Sequence, residues 1–140
     1  FVNGIGADLL EGKPRFIEIN PDVLEGIGSA IVVGHNVNFD INFLREEFRR
    51  AGMRLGAVSN IDTFKLARRM YELPSFALFQ VAQSLGLTLS PLGSAERSAH
   101  LHRAMADVLL LRDIFECMAA QLRQREGIIR VGDLLRIAGN

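Results

Sequence analysis

The sequence predicts an α/β fold in which helices cover a sheet with a parallel portion. Residues 30–33, Ala-Ile-Val-Val, form a short apolar run that is typical of a strand buried on both faces. After a polar turn, apolar residues recur at the spacing of one helix face. A second strand at residues 57–61 also leads into a helical pattern. This alternation of strands and helices favours a layered α/β domain.

Composition and charge limit the classes of function. The chain has 140 residues, of which 49% are hydrophobic and 23% charged, which suits one globular domain with a real core. The formal net charge is zero, so the chain has no overall basic field to hold a long nucleic acid by phosphate neutralisation alone. The zero net charge does not exclude an enzyme that binds one end of a nucleic-acid strand in a small metal site.

Cysteine usage and hydropathy indicate a compartment. The single cysteine, Cys117, excludes an intrachain disulfide and fits a reducing environment. It lies within an apolar helical pattern, which favours core packing over catalysis. No signal peptide is evident, and no apolar run approaches about 18 residues. We therefore expect a cytoplasmic protein with no membrane partner.

The N-terminal part predicts short helical segments before the first strand. Residues 7–12 predict one or two helical turns. Residues 21–27 predict a short helix with Val23, Leu24 and Ile27 facing inward.

The first strand leads through a polar turn into an amphipathic helix. Its predicted inward face consists of Phe39, Phe43, Leu44 and Phe48, and Gly52 is the expected helix end. Asp40 lies in the first helical turn, where a carboxylate stabilises the positive end of the helix dipole. The same position also suits a metal-binding carboxylate, because ligands of open α/β sheets bind outside the carboxyl ends of strands.

The second strand is followed by Asp62 and a further pair of helices. Asp62 is predicted either to cap the next helix or to act near a metal site. Pro74 separates that helix from one predicted over residues 75–85. The expected inward residues of these two helices are Phe64, Ala67, Met70, Tyr71, Leu78, Val81, Ala82 and Leu85.

A loop over residues 88–101 precedes the last long helix, predicted from about His102 to residues 125–127. Its expected buried face consists of Ala104, Val108, Leu111, Phe115, Met118 and Leu122. We expect one domain over residues 1–127. Residues 128–140 carry a short apolar patch, and they either dock on this domain or begin a further segment.

His102 and Asp107 form the second chemically informative stretch. Asp107 is predicted beside a buried helix face, where an aspartate is costly unless it is paired or binds a metal. His102 lies five positions earlier, at the helix start. The alternative is a helix-start histidine with a solvated aspartate.

Two sequence motifs together resemble those of a known family. The chain contains Gly-His-Asn-x-x-Phe-Asp-x-x-Phe-Leu and, further on, His-Arg-Ala-x-x-Asp. These resemble the second and third exonuclease motifs of the DnaQ-like (DEDDh) 3′–5′ exonucleases, the family of the proofreading epsilon subunit of bacterial DNA polymerase III. The resemblance covers nearly the whole chain and implies a ribonuclease-H-like fold.

The resemblance also implies a reaction and a site. Family members bind two Mg²⁺ or Mn²⁺ ions through four carboxylates and hydrolyse phosphodiester bonds at 3′ ends, releasing nucleoside 5′-monophosphates. By position, Asp40 and Asp107 resemble two of the four carboxylates, and His102 resembles the general base. The residues expected to contact substrate are His35, Asn36, Phe39 and Arg103. The expected substrate is a single-stranded DNA 3′ end, with RNA also open.

One family motif is missing. The first motif, Asp-x-Glu on the opening strand, supplies the other two carboxylates, and no Asp-x-Glu occurs in this sequence. We therefore expect an incomplete fold that lacks its N-terminal strands and is inactive or nearly so alone. Three explanations of the missing motif are possible. The first is that the chain is part of a larger exonuclease. The second is that another chain completes its sheet, for example through self-association. The third possibility is a non-catalytic interaction module that binds a polymerase or a helicase.

Overall fold

The computed structural model describes residues 6–87, 99–128 and 130–139, which form helices around a small parallel sheet. In chain order the described elements are α1 (Ala7–Leu10), α2 (Phe16–Ile27), β1 (Val32–Gly34), α3 (Val37–Arg50), β2 (Asn60–Asp62), α4 (Thr63–Met70), α5 (Leu78–Ser84), α6 (Ala99–Glu126) and α7 (Val131–Ala138). The predicted α/β class is confirmed. Of the predicted loop over residues 88–101, residues 88–98 lie outside the described part.

The sheet pairs β1 and β2 in parallel, with Val33 opposite Ile61. Both strands lie near their predicted positions but end one residue later than expected. Successive side chains of a strand point to opposite faces. Accordingly, Val32 packs with one apolar cluster and Val33 with another. The helices therefore bury side chains against both faces of the sheet.

The larger cluster joins α4, α5, α6 and α7, whereas the smaller one joins α2 and α3. The buried members of the larger cluster are Ile61, Leu66, Ala67, Val81, Ala82, Leu110, Ile114, Met118, Leu122, Leu134 and Ala138. Those of the smaller cluster are Val37, Ile41, Phe48, Leu55 and Val58.

Helix α2 begins at Phe16, so the predicted start at Pro21 is wrong. The Glu18 carboxylate accepts a hydrogen bond from the Arg15 backbone N–H at 2.6 Å and thereby starts the helix upstream. Pro21 is accommodated inside the helix at the loss of one backbone donor. Leu24, predicted to face inward, is exposed.

The predicted inward face of α3 is wrong at two of its four positions. Phe39 is 72% exposed and Phe43 is 61% exposed, whereas Phe48 is buried and Leu44 half-buried. Helix α3 begins at Val37, and its buried face shares Phe48 with the predicted face but contains Val37 and Ile41 in place of Phe39 and Phe43. The helix ends as predicted, because Gly52 adopts a φ of 74° that favours glycine.

The predicted buried face of α6 is also only partly right. Met118 and Leu122 are buried and Leu111 and Phe115 half-buried, but Ala104 and Val108 are exposed. Helix α6 packs against α4 and α5. The row that faces this layer repeats every fourth residue and consists of Leu110, Ile114, Met118 and Leu122.

The C-terminal helix α7 docks on the domain. Leu134 and Ala138 belong to the larger apolar cluster. Gly139 forms an antiparallel bridge with Ile61, and its carbonyl accepts a hydrogen bond from Lys65 Nζ at 3.3 Å. The boundary at residue 127 and the start of a further segment stay predictions.

Tyr71, the one tyrosine of the sequence, offers a pH probe of the contact between α4 and α6. Its hydroxyl donates a hydrogen bond to Gln121 Oε1 at 3.0 Å, and burial raises the pKa of Tyr71 above its usual value. The unfolded chain ionises first as the pH rises, so we expect stability to fall above the usual tyrosine pKa of about 10. Urea unfolding across this range checks it, because Tyr71→Phe should show a smaller alkaline loss. Equal losses in both proteins would contradict the prediction.

In the part of the chain that the structure describes, no helix combines the length and the apolar character needed to cross a membrane.

Candidate functional site

The candidate site lies where the two parallel strands end. Gly34 of β1 is opposite Asp62 of β2, and each is followed directly by a turn or helix. Gly34 packs so closely on α3 that a Cβ atom there would lie 2.5 Å from Val37 Cγ2. A side chain at this position would therefore displace the first turn of α3, which carries Asp40.

Asp62 connects the two strand ends. Its Oδ1 accepts hydrogen bonds from the backbone N–H groups of Asn36 and Phe64, both at 2.9 Å. The second bond caps α4, so the predicted N-cap is confirmed. The first holds Asn36 in its left-handed conformation, with φ 63° and ψ 44°. Asp62 is only 2% exposed, and these two bonds compensate part of the cost of burying its carboxylate.

His35 is held by contacts at both ring nitrogens. Nε2 lies 2.7 Å from the Phe76 carbonyl oxygen, and Nδ1 lies 2.9 Å from Thr63 Oγ1. Because a carbonyl can only accept, Nε2 carries a proton. The Thr63 hydroxyl also lies within donating distance of the Gly34 carbonyl, at 3.1 Å. The ring packs edge-on against Phe64, with a centroid distance of 5.7 Å.

Asp40 and Phe39 lie in the first turn of α3, and both are exposed. Asp40 is therefore placed to interact with the helix dipole, as one interpretation predicts. Its exposure also leaves its oxygens accessible to a ligand. Both interpretations of Asp40 stay open on this geometry.

His102, Arg103 and Asp107 all lie on α6. The side chains of His102 and Arg103 lie outside the described part of the structure. Asp107 is exposed, and so are Ala104 and Val108, so the expectation of a buried face beside Asp107 is wrong at this end of α6. Leu110, three positions further on and on the same side of the helix, is the first buried residue of the row.

The carboxylates of Asp40 and Asp107 meet only part of what a divalent metal ion needs. Across the described ranges, no three or more His, Cys, Asp or Glu side chains are grouped to hold a metal ion. Within the same ranges, neither Asp40 nor Asp107 forms an ion pair with a basic side chain. Their oxygens are hard donors of the kind that Mg²⁺ and Mn²⁺ prefer. The residues thus suit such ions in chemistry, but they are too few for a closed site.

Comparison with known proteins decides the family. The family model RNase_T, described as an exonuclease, matches residues 2–115 of the 140. The chain belongs to this exonuclease family. The expected DnaQ-like resemblance is confirmed. The matched residues include both sequence motifs, from Gly34 to Leu44 and from His102 to Asp107.

Individual DNA polymerase III proteins are similar to most of this chain. It is 30% identical over 128 residues to the DNA polymerase III subunit epsilon of Aquifex aeolicus, covering 91% of this chain and 59% of that protein. For the same subunit of Rickettsia felis the identity is 32% over 118 residues, covering 81% and 48%. A PolC-type DNA polymerase III of Caldanaerobacter subterraneus is 29% identical over 136 residues, covering 95% of this chain and 9% of that protein. The chain thus spans about half of each epsilon subunit and a small part of the PolC-type polymerase.

The contacts of His35 were missed by sequence reasoning. Its partners, Thr63 and Phe76, are 28 and 41 positions away in the chain. One signal was present, because His35 and Thr63 each lie next to the end of a predicted strand. The carboxyl ends of parallel strands meet at the same edge of a sheet, so these residues were candidates for contact. Nothing in the pattern indicated the Phe76 carbonyl.

Proposed function

We propose that this chain contributes to a 3′–5′ exonuclease that hydrolyses phosphodiester bonds at single-stranded DNA 3′ ends. The observation that carries the proposal is the family match over both motifs, with the first motif at the carboxyl end of β1. The names of the relatives, a PolC-type DNA polymerase III and DNA polymerase III epsilon subunits, support DNA as substrate and a polymerase as partner. We also propose that the protein is cytoplasmic, as expected of a partner of a DNA polymerase.

The proposed roles follow the two motifs. Asp40 and Asp107 would hold divalent metal, Mg²⁺ or Mn²⁺. Bound ions would supply positive charge to the attacking and leaving oxygens of the phosphodiester. His102 takes the proton of the attacking water, a task for which an imidazole is suited near neutral pH.

Substrate contacts are proposed around the first turn of α3. Phe39 is an exposed aromatic residue directly before Asp40, and exposed aromatic rings stack on unpaired bases. Asn36 is exposed at the helix start, and Arg103 carries a charge suited to phosphate. His35 is not among the proposed substrate contacts, because both of its ring nitrogens have protein partners.

We also propose that the active sheet contains a further strand beside β1. In the described part of the chain, β1 pairs only with β2, and its residues Val32 and Val33 are half-buried. Phe39 and Phe43 on α3 and Val108 on α6 are exposed apolar residues, which a further segment of chain could cover. A strand carrying Asp-x-Glu would supply the missing carboxylates, and without it the 140-residue chain is inactive or nearly so.

Nuclease assays with Mn²⁺ test the proposal. The native full-length protein should release labelled mononucleotide at once from a 3′-labelled single strand and form a ladder from a 5′-labelled one. His102→Ala should lower the rate by about 10²–10⁴-fold. Initial release of mononucleotide from the 5′ end would contradict the proposed 3′–5′ polarity. Metal-dependent turnover by the purified 140-residue chain, lost on Asp107→Ala, would contradict the proposed incompleteness.

A second candidate is a non-catalytic module that binds a polymerase or a helicase. The exposed apolar side chains of α3 and α6 favour it, because such surfaces often contact other chains. Full-length protein with no nuclease activity, but with stable polymerase binding that is lost on Phe43→Glu, would support this candidate. An active nuclease would exclude it.

A further inference from the structure

His35 connects three segments of the domain through its ring. Its own turn lies between β1 and α3, Thr63 is the first residue of α4, and Phe76 lies just before α5. The Phe76 contact is made by a backbone carbonyl, so it fixes the path of the chain into α5. A ring held at both nitrogens and packed on Phe64 has little freedom left.

These segments lead to the two proposed metal ligands. On one side, the His35 turn continues into α3 and reaches Asp40 five residues later. On the other side, α4 and α5 both pack against α6, which carries Asp107. His35 therefore directly connects the turn that leads to Asp40 with the segments of α4 and α5, the helices that pack against the Asp107-bearing helix α6.

The hydrogen bonds of His35 have no replacement from solvent at Thr63. Thr63 is fully buried, so its hydroxyl depends on two protein partners, the His35 ring and the Gly34 carbonyl. Loss of the His35 ring would leave the Gly34 partner in place, but it would remove the two hydrogen bonds that hold the turn to α4 and to the segment before α5.

Asp62 provides a second and separate attachment of the same turn. It holds the Asn36 N–H and therefore fixes the turn to β2, on the sheet side. His35 fixes the turn to the helical layer of α4 and α5. Loss of the His35 contacts should therefore leave the turn attached to the sheet and loosen it from the layer that supports α6.

We propose that His35 is a positioning residue that sets the location of Asp40 relative to α6. This inference rests on the proposed function, because it gives Asp40 and Asp107 one common site. His35 itself contacts neither metal nor substrate in this role.

Distance measurements between α3 and α6 test the proposal without any metal. Nitroxide labels at Asn42 and Glu116, both exposed, report the separation of the two helices in a Cys117→Ser background. We expect His35→Phe, which keeps a ring but loses both hydrogen bonds, to broaden the distance distribution about twofold. His35→Gln places an amide N–H near the position of Nε2 and restores only the contact with the Phe76 carbonyl, so its width should lie between those of wild type and His35→Phe. Labels at Asn42 and Arg49, both on α3, should show no change in any variant.

The threonine partner gives an independent pair of variants. Thr63→Val removes the hydroxyl and should broaden the same distribution, whereas Thr63→Ser should not. This pair decides the question if His35→Phe fails to fold. Wild-type widths in the folded His35→Phe and Thr63→Val variants would overturn the proposal.

Mn²⁺ binding separates this inference from the proposed function. We expect His35→Phe to raise the Mn²⁺ dissociation constant of the full-length protein about tenfold, and His35→Gln to raise it less, because Gln keeps the contact with the Phe76 carbonyl. If wild-type protein binds no Mn²⁺ at Asp40, the proposed metal site is wrong, and the label distances still decide whether His35 positions α3. An unchanged dissociation constant in His35→Phe, with Mn²⁺ bound at Asp40, would overturn the positioning role.

Discussion

Asp40→Ala and Asp107→Ala are each expected to abolish exonuclease turnover of the native full-length protein while largely sparing its fold. Both carboxylates are exposed, so their removal leaves no cavity and no buried partner without a hydrogen bond. Two metal ions that lose a carboxylate ligand lose both affinity and alignment with the phosphodiester. Single-turnover release of the 3′ nucleotide measures the loss, and urea unfolding measures the fold.

Asp113→Ala provides the matched control for Asp107→Ala. Asp113 lies further along α6, where it pairs with Arg112 and lies outside both motifs. Its replacement should leave turnover near the wild-type rate. If Asp40→Ala or Asp107→Ala unfolds the protein, or leaves turnover unchanged, the proposed metal role of that residue is wrong.

Phe48→Ala is expected to cause the largest loss of stability in the smaller apolar cluster. Phe48 is fully buried, and its ring packs edge-on against Phe16 at a centroid distance of 5.1 Å. Truncation of a buried phenylalanine costs about 3–5 kcal/mol, because it leaves a cavity and removes an aromatic contact. Urea unfolding of the 140-residue chain measures this free energy.

Phe43→Ala is the matched control on the same helix. Phe43 is mostly exposed, so its truncation should change the free energy of unfolding by about 0.5 kcal/mol or less. Equal losses for the two variants would show that α3 buries the face predicted from the sequence and not the face described above.

The comparison of Phe43 with Phe48 shows where sequence patterns succeed and fail in this chain. The strands were predicted because β-branched runs are rare outside sheets, and Asp62 was predicted as a cap because capping is a local interaction. The face of α3 was misassigned because two sets of apolar residues fit helical spacing, Phe39 with Phe43 and Val37 with Ile41. Periodicity alone cannot choose between two such sets, since the choice depends on what packs against the helix.

The candidate site shows the same division between local and distant information. Asp40, His102 and Asp107 were assigned through motifs that extend over a few residues each. The partners of His35 were not, because hydrogen bonds across 28 and 41 positions depend on the finished fold. The exposure of Asp107 also depends on tertiary packing, which buries α6 at Leu110 and Ile114 but leaves Asp107 and Val108 exposed.

The bridge between Ile61 and Gly139 has a consequence for assembly. Ile61 pairs with β1 on one side and with Gly139 on the other, so the outer edge of β2 is already occupied at this point. A Cβ atom at Gly139 would lie 2.8 Å from the Asn60 carbonyl oxygen, so close pairing there depends on glycine. Open-ended polymerisation through strands requires two free edges on each subunit. A sheet blocked on one side can accept a single added strand at β1, which favours a closed complex of defined size over a fibre.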